Sequence, residues 1–144
     1  MPWLVGMKVN DMHTEAARHW TLIWHGCEIS HISNTDHGAL QLKLSVASVI
    51  AADGTQGYLK GVTLQWPHGH CQTDAPLPDV LGGVSDGHWV INNALQRSMS
   101  IPAAVSQPHT VVLRLISGTE LCAQGHTCHI TVAPDAQFQE SMAC

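Results

Sequence analysis

Between residues 40 and 47 apolar and polar side chains alternate without a break. Leu40, Leu42, Leu44 and Val46 fall on one side, and Gln41, Lys43, Ser45 and Ala47 on the other. Residues two apart share a face in a strand but not in a helix, so this run buries a coherent face only as a strand. A second run, 57–66, places Tyr58, Val62, Leu64 and Trp66 on one parity and Leu59, Gly61, Thr63 and Gln65 on the other. Ala52-Asp53-Gly54-Thr55-Gln56 lies between them and has the composition of a turn. The two runs therefore read as an antiparallel hairpin. A two-residue Asp53-Gly54 loop would set Leu44 against Thr63 and mix the faces. A three-residue loop, Asp53-Gly54-Thr55, sets Leu44 against Leu64, Val46 against Val62 and Leu42 against Trp66. Because a one-residue slip turns every side chain over, the longer loop is expected. It also sets Lys60 opposite Ser48, with the ammonium reaching out to the rim.

The rest of the chain repeats this grammar. Residues 20–25 are aromatic and β-branched. The apolar parity changes after them, from Trp20, Leu22 and Trp24 to Cys27 and Ile29, and a bulge near Gly26 reconciles the two halves. Strand signals recur at 88–95, 110–116, 119–123 and 126–133, the last three as a tight meander turning at Ser117-Gly118 and Gln124-Gly125. Residues 67–87, with Pro67, Pro76-Leu77-Pro78 and Gly82-Gly83, read as one long loop. One helix is expected over 11–19, capped by Asn10 and forming part of an N-terminal arm, 1–19. The tail, 134–144, has a single aromatic anchor, Phe138. The expectation is a single all-β domain over 1–144. It would be an antiparallel sandwich or barrel of about seven strands with one short N-terminal helix.

Charge narrows the function. Lys and Arg number 6, Asp and Glu 11, and His 11, giving −5 with His neutral. Only 12% of residues are charged, against about 25% in soluble proteins generally. No basic stripe is available to displace counterions from nucleic acid or to hold an anionic membrane, so neither is an expected partner. The apolar start of the chain is too short for a signal-peptide core. With Cys27, Cys71, Cys122, Cys128 and Cys144 odd in number, reduced thiols in a cytoplasmic setting are expected. A weakly charged β-domain with uncovered edge strands is expected to self-associate as a homo-oligomer.

Two stretches carry candidate chemistry. In His68-Gly69-His70-Cys71-Gln72-Thr73-Asp74, an extended backbone puts both imidazoles on one face, and Zn²⁺ accepts imidazole, thiolate and carboxylate. His68 and His70 are thus the candidate metal ligands, with Cys71 or Asp74 as possible additions. A His-x-His pair on a strand is similar to that of the cupins, although the Gly and Pro spacing of that family is absent. The second stretch is Cys122-Ala-Gln-Gly-His126-Thr-Cys128-His129. Around a Gln124-Gly125 turn, Glu120, Cys122 and His129 would share one face and His126, Cys128 and Ile130 the other. Four ligands then cannot converge locally. Both thiols read as small hydrophobes, and Glu120 and His129 as a cross-strand pair. His25 and His31 share a face only if no bulge separates them.

No catalytic or cofactor-binding residues are identified. Ser85-Asp86-Gly87-His88 gathers the residue types of a triad without its geometry, and no nucleophile elbow or phosphate loop occurs. The first expectation is a small non-catalytic β-domain for binding or assembly, with no cofactor. One alternative is a Zn-dependent, cupin-like β-barrel enzyme using His68 and His70. The other is a binder of a small molecule or carbohydrate at a mouth lined by Trp.

Overall fold

Asp53 and Gly54 settle the first hairpin. In the computed structural model, which describes residues 19–76 and 80–141, β2 (Leu40–Ala51) turns into β3 (Gln56–Leu59) and β4 (Val62–Trp66). The Ala51 N–H donates to the Thr55 carbonyl at 2.8 Å and the Gly54 N–H to the Ala51 carbonyl at 2.9 Å. The loop is therefore Ala52-Asp53-Gly54, one residue earlier than the sequence suggests. Leu40 pairs with Trp66, Leu42 with Leu64 and Leu44 with Val62. The expected pairs are each displaced by two residues, which preserves the buried face. The cause is backbone conformation. A three-residue hairpin needs its left-handed residue last, and Gly54, at φ +90°, holds that place. Asp53 fixes the turn by accepting the Thr55 N–H at 3.0 Å. That bond holds its carboxyl below the usual carboxylate range.

β1 (Trp20–Asn34) runs along the other edge of β2. Its register breaks between Ile23 and Glu28, with Gly26 at φ +94°, where the change of parity called for a bulge. Two further shifts, between Glu28 and Ile29 and between Ile29 and His31, leave no mark in the sequence pattern. β2 changes face at the same level: Leu44 is buried, Val46 half-buried and Ala47 buried again. So do β3 and β4, where the core takes Leu59 rather than Tyr58 on one side of Gly61 and Val62 on the other. These changes line up across the strands as a corner of the sheet. Lys60 lies in the break, exposed, and Ser48 pairs with Tyr58. The bulge also keeps His25 and His31 from sharing one regular strand face.

The remaining strands are β5 (Gly69–Thr73), β6 (Gly82–Ile91), β7 (Ala94–Gln96), β8 (Ser98–Ile101), β9 (Ala103–Val105), β10 (His109–Leu115), β11 (Glu120–Gly125), β12 (Cys128–Val132) and β13 (Phe138–Glu140). Every pairing is antiparallel, and the described residues form one open sheet in the order β5-β11-β10-β6-β1-β2-β4-β12-β9. The all-β expectation holds, but about seven strands is too few, since thirteen are described. The additional ones are mostly three to five residues long, too short to register as periodicity. β5 and the start of β6 lie inside the stretch expected to be a long loop. No helix occurs among the described residues. The one expected over 11–19 lies outside them except for His19, which is not helical.

The expected meander also changes course. β10 and β11 form a hairpin around Ile116-Ser117-Gly118, but β11 pairs next with β5, while β12 crosses to β4 and β9. Cys122 and Glu120 therefore never meet His129. Glu120 accepts a bond from Arg114 at 2.7 Å instead. β8 pairs with β1 and β9 with β12, so residues 98–105 bridge two distant parts of the curled sheet. One apolar cluster fills its inside, built on Trp24, Trp66, Trp89 and the inward leucines of β1, β2, β4, β10 and β11. At the outer side Phe138 stacks on Trp20 with ring centroids 4.9 Å apart.

Candidate functional site

Where β5 and β10 begin and β6 and β11 end, the strand ends line an open, solvent-exposed cavity of about 700 Å³. Its wall brings together three histidines from the two stretches that carried candidate chemistry: His68 and His70 from the first, His126 from the second. The crossover after β11 does this. It separates Cys128 and His129 from the strand but leaves His126 at the strand end, beside β5. His70 lies on the outward face of β5 opposite Gln124. Gln124 is opposite Thr110, and Thr110 opposite Val90. These four form one wall.

The floor rests on two glycines. Gly69 and Gly125 pair across β5 and β11 with their missing side chains directed at the Trp66 ring. A Cβ on either would come within 2.7 Å of Trp66. The glycine of His-Gly-His therefore makes room for an indole. Through that gap the Trp66 Nε1–H donates to His109 Nε2 at 2.9 Å. An indole nitrogen can only donate, so Nε2 accepts and the proton sits on Nδ1, which donates to the Gln107 carbonyl at 2.7 Å. His109 is 5% exposed and is the one buried polar residue among those described. Both its nitrogens are engaged, so it lines the cavity without a free ring donor or acceptor.

The rim comes from the β6–β7 turn. Residues 88–95 read as one strand, but Ile91 pairs with Ala94 and the chain reverses over Asn92-Asn93. Both have positive φ, 54° and 66°. Such a two-residue turn requires left-handed backbone at both places, which Asn tolerates better than other non-glycine residues. An Asn-Asn pair between apolar runs is the signal that could have found this hairpin.

The other candidates separate. Cys71 is on the inward face of β5, opposite Ala123 and away from His70. Burial, then the charge of a Cys122 thiolate, pushes its thiol up to about 11. Asp74 lies beyond the far end of β5, accepting the Glu120 N–H at 3.3 Å. Cys128 is buried in the core as expected, whereas Cys122 is half-exposed on the outer face. Among the described residues no group of three or more His, Cys, Asp or Glu side chains is arranged to hold a metal ion. The Ser85 hydroxyl donates to the Arg114 carbonyl at 3.0 Å, so it makes no triad with His88. Among the described residues no tryptophan lines this cavity: Trp24, Trp66 and Trp89 are in the core, and Trp20 lies against Phe138.

Comparison with protein-family models, with curated proteins and with solved structures returns no match. No helix among the described residues is long and apolar enough to cross a membrane.

Proposed function

We propose that this protein is a non-catalytic binding module whose ligand seat is the cavity at the ends of β5, β6, β10 and β11. The observation that carries this reading is the convergence there of His68, His70 and His126 with Asn92, Asn93 and Gln124. At about 700 Å³ the space suits a small molecule, since ligand sites span roughly 300–1,000 Å³. The lining contains no carboxylate and no thiol, and its one hydroxyl, Thr110, has no hydrogen bond to an imidazole. Donors and acceptors are therefore abundant, while no group of three or more His, Cys, Asp or Glu among the described residues is arranged to hold a metal ion, which favours binding over the cupin-like, Zn-dependent reading.

The test is a fragment screen followed by tryptophan fluorescence. Trp66 is hydrogen-bonded to His109, which lines the cavity, so an occupant that shifts His109 changes Trp66 emission. Saturable binding that weakens in both His70→Ala and Gln124→Ala supports the seat. Binding unchanged in both variants refutes it.

Self-association is the second reading. Among the described residues β7 pairs only with β6, all three of its residues are exposed, and Leu95 is 54% exposed. Such an edge invites another strand. Light scattering after size exclusion across a range of concentrations tests it, and a strict monomer overturns it.

A further inference from the structure

We infer that the ligand is uncharged and carries adjacent hydroxyl groups, the chemistry of a polyol or small saccharide; this rests on the cavity being the binding seat. Three rows cross the outward face of β5, β11, β10 and β6. The row at the cavity is His70, Gln124, Thr110 and Val90. Two residues further along it is Gln72, Cys122, Val112 and His88. The last holds Glu120, Arg114 and Asp86, with Asp74 bonded at its end. Charge is thus segregated: acids and an arginine gather at one end of the face, and no Asp, Glu, Lys or Arg lines the cavity at the other.

A ligand with a fixed charge seated there would meet no Asp, Glu, Lys or Arg as a permanent counter-charge. An uncharged polar ligand instead exchanges its water hydrogen bonds for protein ones. The groups on offer fit hydroxyls in particular. Asn and Gln amides each present a donor and an acceptor side by side, and a neutral imidazole presents one of each. A hydroxyl is likewise both donor and acceptor, so neighbouring hydroxyls match the two atoms of an amide. The C–H face of such a ligand has Val90 and Pro108 to lie against.

Asn93 adds a second observation. At φ 66° it occupies the position where a type I′ turn favours glycine. Its amide is exposed and lines the cavity. The left-handed backbone accounts for an Asn there as it would for a Gly, but only Asn adds an amide to the cavity lining. Asn93→Gly should therefore hold or raise the unfolding midpoint while weakening binding.

The experiment is calorimetric titration at pH 8 with glucose, galactose, mannose, xylose and N-acetylglucosamine, alongside inorganic phosphate, acetate and Zn²⁺. Saturable binding of at least one sugar, about tenfold weaker in Gln124→Ala and in Asn93→Gly, is the expected result. Binding confined to phosphate, acetate or Zn²⁺ overturns the ligand class and leaves the seat standing. If no probe binds while the fragment screen finds an occupant, the class also falls. If neither finds one, the seat falls with it. Sugar binding untouched by Asn93→Gly overturns the part assigned to Asn93.

Discussion

The bond from Trp66 to His109 joins the core to the cavity through a single buried donor. Replacing His109 by Phe keeps an aromatic ring but leaves the Trp66 N–H without an acceptor. A buried donor left unpaired costs about 1–3 kcal/mol. We expect His109→Phe to lower stability by that amount in urea unfolding, with His109→Gln losing less because an amide oxygen can still accept. Equal losses in the two variants would count against the bond. His109 was legible in part. It continues the parity of Val111, Leu113 and Leu115, so alternation alone marks it as inward-facing. Its partners were not legible, because Trp66 lies 43 positions away in the chain. The same limit hid the purpose of Gly69 and Gly125, each of which is explained only by the ring that passes over it.

The buried thiols give a second prediction at this scale. Desolvation by burial pushes Cys27 up to about 11 and Cys128 up to about 12, from an ordinary 9.0. The folded chain therefore keeps protons that the unfolded chain releases. Stability is full below pH 9 and falls as pH rises toward 11 and 12. The slope is about 1.4 kcal/mol per pH unit for each thiol once the unfolded form has ionised. Cys128→Ala should be less stable at pH 7, from lost packing, yet decline less steeply between pH 9 and 10.5. Parallel declines in urea midpoints for the variant and the parent would refute this.

Among the elements, hairpins show where alternation suffices and where backbone conformation decides. Parity identified the faces of β2 and β4 correctly, but two registers differing by two residues satisfy it equally well. Gly54 breaks the tie because it alone in the loop takes a left-handed backbone cheaply. No atom lies within 4 Å of where its Cβ would be, so Gly54→Ala probes backbone conformation without steric contact. The expected loss is about 1–2 kcal/mol, read by chemical unfolding, and an unchanged midpoint would contradict the turn. Gly118 at φ +95° closes the β10–β11 hairpin in the same way. The parity switch in β2 had no such marker, since Val46, Ala47 and Ser48 all fit a continuous strand. It follows from the corner that Gly26 imposes on the neighbouring strand.

At the level of the molecule, composition and motif carry different kinds of information. His68 and His70 do reach one cavity, but their company there is amide and hydroxyl rather than Cys71 or Asp74. That company depends on β11 leaving β12, a long-range choice that local spacing does not encode. Low charge, by contrast, has consequences independent of topology. With a sequence isoelectric point near 6.1, the −5 carried when His is neutral vanishes close to pH 6. Histidine is the residue type that moves charge most between pH 5 and 8. Repulsion between copies is then weakest while the apolar surface stays constant: Ile116 is 75% exposed, and Leu95 lies on the free edge of β7. Solubility should pass through a minimum near pH 6 and recover by pH 8. Turbidity across that range measures it, and equal solubility at pH 6 and 8 contradicts it. Leu95→Lys should lift the minimum, since a lysine on an edge strand opposes pairing as well as adding charge. A lysine replacing the exposed Gln65 of β4 adds the same charge away from that edge. If both variants rescue solubility equally, charge alone governs the behaviour and the β7 edge plays no part.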